Sequence, residues 1–250
     1  MAEWDDSSTR SWDAIADDWV QHADQNDYRN DLLMPLMVEL LGEVRGVTIL
    51  DLGCGEGGYS RELAARGAKV VGVDGSSRLV AVARERAPEI QYIAANANAL
   101  ESIDSDSFEI VMASMSLMDV EDYDGAISEV WRVLRPDGRL FMSITHPCFS
   151  APVSGWIKSE NGALRFFGVD RYMERAEWED FIAEPFQRPV VRRHRPLQDF
   201  IGPLLRRGFL LRSFHEPGAS AEQVLTSPRL ERLNRIPYFL FMTWQKSPSS

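Results

Sequence analysis

The run Asp51-Leu52-Gly53-Cys54-Gly55-Glu56-Gly57-Gly58 has the composition of a ligand-binding turn. It follows the β-branched segment VTILDL and precedes a stretch with helical spacing, so it joins a strand to a helix. Glycines at such a junction let the chain turn tightly and let a ligand approach the backbone and the next helix's N-terminus. Gly53, Gly55 and Gly58 also satisfy the spacing G-x-G-x-x-G, and Asp74 ends the next strand-like run, KVVGVD, where an acid holds ribose hydroxyls. Two nucleoside cofactors therefore compete. A dinucleotide would set its pyrophosphate against the carboxylates of Asp51 and Glu56, which oppose that charge. S-adenosylmethionine has no phosphate, and its ammonium and sulfonium make Asp51 a favourable neighbour, directly or through water. The charge pattern favours the sulfonium. An NAD(P)-dependent oxidoreductase and a non-catalytic, cofactor-binding regulatory module stand as alternatives.

Methyl transfer from a sulfonium is an in-line displacement with a good leaving group, so alignment supplies most of the rate and a base is needed only when the acceptor must lose a proton. Three residues are candidates for that task. His146 follows the strand GRLFMSI at the carboxyl edge of the sheet, where open α/β sheets bind ligands. His194 ends an aromatic-rich section at RRHRP, and Asp119 follows the strand FEIVMA. His22 and His215 read as surface or packing residues. Trp12, Trp19 and Tyr28 present an aromatic helix face suited to a sulfonium by cation–π attraction, or to plain packing. Arg188, Arg192, Arg193 and Arg195 form a basic cluster that reads first as a solvated face, with an acceptor's carboxylate or phosphate as the functional alternative. Cys54 and Cys148, the only cysteines, have no metal-ligand spacing, so no metal is expected.

The elements that must position these residues alternate along the chain. Apolar spacing from Ser11 to Leu41 predicts two helices. After VTILDL come a helix near Tyr59 to Arg66, the strand KVVGVD, a helix from Ser77 to Ala87, the strands IQYIAA and FEIVMA, a helix from Asp124 to Leu134 and the strand GRLFMSI. That order implies a parallel sheet with flanking helices. A helix from Leu197 to Arg206 then precedes FLLRSF and YFLFMTWQ, which would close the sheet as an antiparallel edge hairpin, and KSPSS reads as a frayed tail. Residues 146–195, broken by Pro147, Pro152, Pro185 and Pro189 yet rich in aromatics, read as a substrate lid. At 250 residues the chain suits one domain: a helical cap at 1–45, a cofactor-binding core at 46–145, the lid at 146–195 and sheet completion at 196–250. A net charge of −11 disfavours nucleic acid and acidic membranes, and the polar start without an apolar run gives no sign of export. The expectation is a cytoplasmic monomer or homodimer acting on a small molecule.

The runs VTILDLGCGEGGYS, VVGVDGSS, YIAANANAL, FEIVMASMSLMDV and VLRPDGRLFMSITHP, in this order from Val47 to Pro147, resemble the motifs of class I S-adenosylmethionine-dependent methyltransferases. The resemblance implies a Rossmann-like α/β fold of seven strands, mostly parallel, with an antiparallel C-terminal strand. It further implies that Gly53 and Gly55 line the cofactor's methionine part, that Asp51 supports its amine, and that Asp74, with Gly75 and Ser76 nearby, takes the ribose. Asn96, standing where the family often has Asp, and Ala97 would flank the adenine, while Ser114 to Met118 would face the reactive methyl. Cys54, Tyr59, Asn98 and Trp19 complete the expected cofactor set. The implied cofactor is S-adenosyl-L-methionine, leaving as S-adenosyl-L-homocysteine. The aromatic-rich residues 146–195 in an acidic protein point separately to a small aromatic or heterocyclic metabolite as acceptor, enclosed and stacked.

Overall fold

The computed structural model describes residues 6–182 and 186–247, so residues 248–250 of the expected tail and the break at Pro185 lie outside the described residues. Lys246, expected to begin that tail, is instead buried as the last residue of the final strand, donating to the Leu134 carbonyl and pairing with Asp106 at 2.9 Å. The chain opens with α1 (Ser7–Ala14) and α2 (Ala16–Ala23), continues through a π-helical segment, Tyr28–Leu33, and runs on into α3 (Met34–Leu41). The expected pair of helices is thus three α-helices and a π segment, because Ile15 leaves helical geometry between the first two. Then follow β1 (Thr48–Leu52), α4 (Gly58–Ala65), β2 (Lys69–Asp74), α5 (Ser77–Arg86), β3 (Gln91–Ala94), β4 (Phe108–Ser114), α6 (Tyr123–Val133) and β5 (Leu134–Thr145). Residues 146–195 hold two antiparallel pairs, β6 (Val153–Lys158) with β7 (Leu164–Asp170) and β8 (Ala176–Asp180) with β9 (Val190–His194). The chain ends through α7 (Leu197–Arg207), β10 (Phe209–His215), α8 (Ala221–Thr226), the 3₁₀ segment Pro228–Asn234 and β11 (Phe239–Lys246).

Seven strands form one Rossmann-like sheet in the order β10-β11-β5-β4-β1-β2-β3, with β11 reversed and paired antiparallel to both β5 and β10. The expected edge hairpin is corrected in one respect. The last strand inserts between β5 and β10, leaving β10 at the edge, and α8 and the 3₁₀ segment separate the two. Alternation along the strands sends side chains to both faces. Leu50, Leu52, Val111 and Met142 pack with Ile127, Val130 and Leu204 on one side, while Ile49, Ile110 and Phe141 pack with Met37 and Leu63 on the other. The register Leu52↔Val73 and Phe239↔Thr145 brings the ends of β1, β2, β4 and β5 and the start of β11 to one edge.

Over this edge lies the N-terminal cap, fastened by polar contacts. Asp13 accepts from Ser76 Oγ at 2.7 Å and from the Arg78 backbone N–H at 3.0 Å, Arg78 reaches Asp17 at 2.6 Å, and Asn96 donates to Asp6 at 3.1 Å. A Cβ on Gly75 would stand 2.7 Å from Thr9 Oγ1, so glycine there lets α1 settle onto the turn after β2. The β8–β9 hairpin packs on α1, where Ser11 Oγ accepts from Val191 N–H at 3.1 Å and Ile15 joins Phe186 and Val190. The β6–β7 hairpin is held elsewhere, by Trp156 Nε1 donating to the Tyr238 hydroxyl at 2.6 Å and by Arg235 over the Trp156 ring at 4.4 Å. Because the cap is tied down largely by partly exposed hydrogen bonds, Asp13→Ala should cost about 1 kcal/mol or less of global stability. It should speed amide exchange across residues 7–23 selectively, as hydrogen-exchange mass spectrometry would show.

Candidate functional site

Beneath the cap is a cavity of about 380 Å³ at the carboxyl edge of the sheet. Its floor is the glycine turn, whose Gly53, Gly55 and Gly57 have φ of +80°, +54° and +82°. A Cβ on Gly53 would lie 2.2 Å from Ser116 Cβ, so the loop after β4 closes directly onto this glycine. Four turn amides are already engaged. Gly53 and Cys54 donate to the Val73 carbonyl at 2.7 and 2.9 Å, Gly55 to Asp74 Oδ2 at 2.8 Å, and Gly57 to the Cys54 carbonyl at 3.0 Å. A pyrophosphate site needs such amides free, so this turn lacks the cradle that a dinucleotide requires. The expected opposition from Glu56 is weaker than its charge suggests, because Glu56 is buried in an ion pair with Arg29 at 2.8 Å. Gly58 makes room for that pair: a Cβ there would fall 1.5 Å from Arg29 Nη2.

Of the expected cofactor residues, Gly53, Cys54, Gly55, Tyr59, Asp74, Gly75, Ser76, Asn96, Ala97, Ser114, Met115 and Trp19 line the cavity. Asp74 accepts from Gly55 N–H and Ser76 N–H at 2.8 Å each, and burial raises its pKa above the ordinary carboxylate value. Asp51 is not on the wall. It is buried beneath the turn, accepts from Ser60 Oγ at 2.6 Å, and is pushed up to about 7 by burial. Asn98 also lies off the cavity, its amide donating to Asp122 at 3.2 Å.

The three expected proton-transfer residues are separated. Asp119 lines the cavity, where burial pushes its carboxyl up to about 6 against the opposing charges of Arg192, Arg193 and Arg195 and a hydrogen bond with Trp12. His146 does not reach the cavity. Its Nδ1 accepts from Cys148 N–H at 3.2 Å, which leaves Nε2 to donate to Glu216 at 2.9 Å, so it caps the turn after β5. His194 lines a second depression of about 500 Å³, with Nε2 donating to the Tyr172 carbonyl at 2.8 Å. The arginine cluster also divides: Arg193 and Arg195 hold the loop after β4 through the carbonyls of Asp119, Met118 and Val120, whereas Arg192 lines the cavity.

Several lining residues carried no sequence signal. Arg29 reaches the wall from the π segment, with Nη1 buried and without a hydrogen-bond partner among the described residues. His22 and Arg229 also line the cavity, and His22 follows Trp19 by three positions on one helical face, a spacing that could have marked it. These groups fit an amino-acid nucleoside. Arg29 Nη1 suits a carboxylate, Asp74 a ribose diol, and the Trp12 and Trp19 rings, in edge contact at 5.2 Å, a sulfonium. Among the described residues no group of three or more His, Cys, Asp or Glu could hold a metal, and no helix is long and apolar enough to cross a membrane.

The sheet order and the site at its carboxyl edge define a Rossmann-like fold with a nucleoside-sized cavity. Residues 50–142 match the family model described as a methyltransferase domain. An S-adenosylmethionine-dependent methyltransferase from Mesorhizobium loti is 31% identical, with a TM-score of 0.75 over 84% of this chain and 96% of that one. Demethylmenaquinone methyltransferase of Lactococcus lactis is 30% identical over 63% of this chain and 67% of its own, and that of Renibacterium salmoninarum is 34% identical over 55% of this chain and 61% of its own. The chain thus spans less than two thirds of the Renibacterium relative's length. It belongs to the class I S-adenosylmethionine-dependent methyltransferases, whose cofactor is S-adenosylmethionine. Gly53→Ala, strained by its φ and by Ser116, should lower stability by at least about 1 kcal/mol, read from the urea midpoint. In the same titration Asp51→Asn should stabilise the protein most above pH 7, since the raised Asp51 pKa penalises ionisation there, with the gain shrinking towards pH 4.

Proposed function

We propose that the protein transfers the methyl group of S-adenosylmethionine to a small planar metabolite, aromatic or heterocyclic, by in-line displacement. The observation that carries this reading is a single sheltered cavity that joins a cofactor-shaped floor to aromatic walls beneath the protein's own cap. When bound, the cofactor supplies a methyl group on a positively charged sulfur that departs as a neutral thioether. The chain's residues have to hold, orient and dry the reactants. Asp74 takes the ribose hydroxyls, Asn96 and Ala97 flank the adenine, and Arg29 pairs with the amino-acid carboxylate. Trp12 and Trp19 roof the sulfonium, and Ile182 and Arg192 bring the β8–β9 part of residues 146–195 over the cavity as a lid. Asp119, whose carboxyl is held near 6, takes the acceptor's proton. The two curated relatives support a planar acceptor, since the demethylmenaquinone of their name is a quinone.

Calorimetry with S-adenosylhomocysteine tests the cofactor contacts. Arg29→Met, which also strands the buried Glu56 charge, should weaken S-adenosylhomocysteine by about 10- to 100-fold more than methylthioadenosine, which lacks the carboxylate; that difference is the worth of one charge-assisted hydrogen bond. Asp74→Ala should weaken both ligands, and unchanged affinity would reject the ribose assignment. Once a metabolite screen yields an acceptor, turnover should rise with pH through about 6 as Asp119 loses its proton. Asp119→Asn should lower the rate by about 10²-fold or more and abolish that limb of the pH profile.

A further inference from the structure

The cavity lining divides along the sheet. Gly53, Asp74 and Asn96, assigned above to the cofactor, lie at or just past the ends of β1, β2 and β3, which form one half of the sheet. The remaining wall comes from the other half: Ser114 and Met115 at the end of β4, Thr145 at the end of β5 and Phe239 at the start of β11. A cofactor anchored on the first half leaves the second for the methyl acceptor. Two polar groups on the wall, His22 and Arg229, lie close enough for the Arg229 charge to act on the His22 ring.

The hydrogen-bond pattern fixes what His22 offers. Asn26 Oδ1 accepts from Arg29 N–H at 3.3 Å, so its amide nitrogen is the group that faces His22 Nε2 at 3.2 Å and donates to it. The ring proton is therefore on Nδ1, and no described residue accepts it. Contacts of the ring with Trp19 at 5.9 Å and Phe186 at 5.2 Å hold its orientation. Burial and the Arg229 charge keep the pKa below its ordinary 6.5, outweighing Asp27, so His22 is a neutral donor at neutral pH. Arg229 lies over the Tyr28 ring at 4.8 Å and meets Asp27 through Nε at 3.0 Å, with no other hydrogen-bond or ion-pair partner among the described residues. Tyr28 in turn touches Phe239 at 5.5 Å, which makes this end an aromatic slot. The nearby carboxylates are committed, Asp27 to Arg229 and Ser227 and Glu56 to Arg29, so an anion entering here meets donors.

We propose that this half of the cavity binds the acceptor as a planar ring through an acidic hydroxyl, phenolic or enolic, and holds its oxygen as the anion between His22 Nδ1–H and the Arg229 guanidinium. The inference rests on the methyltransferase reading and adds the class of the acceptor: an oxygen acid. The hydroxyl gives its proton to Asp119 or to water. The oxygen's electron pair forms the new O–C bond, and the S–C pair returns to sulfur, leaving a methyl ether and a neutral thioether. His22 and Arg229 act on the reacting oxygen and lower the charge it must carry unaided.

The test uses 4-nitrophenol, whose phenolate is coloured, against the full-length protein saturated with S-adenosylhomocysteine at about pH 6, where the free probe is mainly neutral. The bound probe should show the phenolate spectrum and bind about tenfold tighter than 4-nitroanisole, its neutral ether. His22→Phe and Arg229→Gln should each shift the probe's ionisation back by about tenfold in its constant while S-adenosylhomocysteine affinity holds, which also reports that the variants fold. His22→Gln, which retains a neutral N–H donor, should recover part of the shift. A bound probe with the neutral spectrum, equal binding of the ether, no binding of the phenol, or an unchanged shift in both variants overturns the assignment. Failure of S-adenosylhomocysteine to bind would instead overturn the methyltransferase reading on which it rests.

Discussion

The buried ion pair between Arg29 and Glu56 links the two parts of the molecule that have to meet for a site to exist. Arg29 belongs to the N-terminal cap, and Glu56 to the turn after the first strand. Their contact passes through the space that Gly58 leaves empty, so the turn's glycine content serves the protein's own guanidinium at this position. Removing either partner alone would strand a charge in a largely dry setting, which costs far more than the pair contributes as a pair. Arg29 also lines the cavity, and its Nη1 is buried with no hydrogen-bond partner among the described residues.

The charge pattern of the site differs from that of the whole chain. The protein carries a net −11, yet the acids around the cofactor floor are muted one by one. Asp51 is held near the point of half-protonation, Glu56 is paired, and Asp74 accepts two backbone N–H groups. What discriminates between nucleosides is consequently less the formal charge of the turn than the scarcity of free amides: a loop that spends its N–H groups on Val73 and Asp74 has few left for phosphate oxygens.

Much of the architecture was legible because it rests on local periodicity. The strand–turn–helix around Gly53, the acid at the end of β2 and the alternating elements through β5 are written in neighbouring residues, and most of the expected cofactor set lies around one cavity. The misses share a different cause. His146 stands at the right edge of the sheet, but its ring turns away to cap the next turn and meet Glu216. Being at the end of a strand does not decide which way a side chain points. His194 was placed by its aromatic neighbourhood, yet β9 directs it toward Tyr172 and a separate depression. Arg29 and Arg229 reach the cavity from the cap and the C-terminal region, and contacts between segments so distant in sequence leave no periodic trace, whereas His22 had one local mark, its place three positions after Trp19 on a helical face.

The placement of β11 between β5 and β10 has a bearing on how the molecule assembles. The strands beneath the nucleoside end are joined by short local crossovers and can organise as soon as they are synthesised. The wall formed by Thr145 and Phe239 must wait until β11, near the end of the chain, pairs with β5 and brings in β10, whose only sheet partner is β11. A nascent chain therefore acquires its nucleoside-binding half first and its second half late, so a partly made protein would pass through a state that grips the donor before it has anywhere to seat what the donor alkylates.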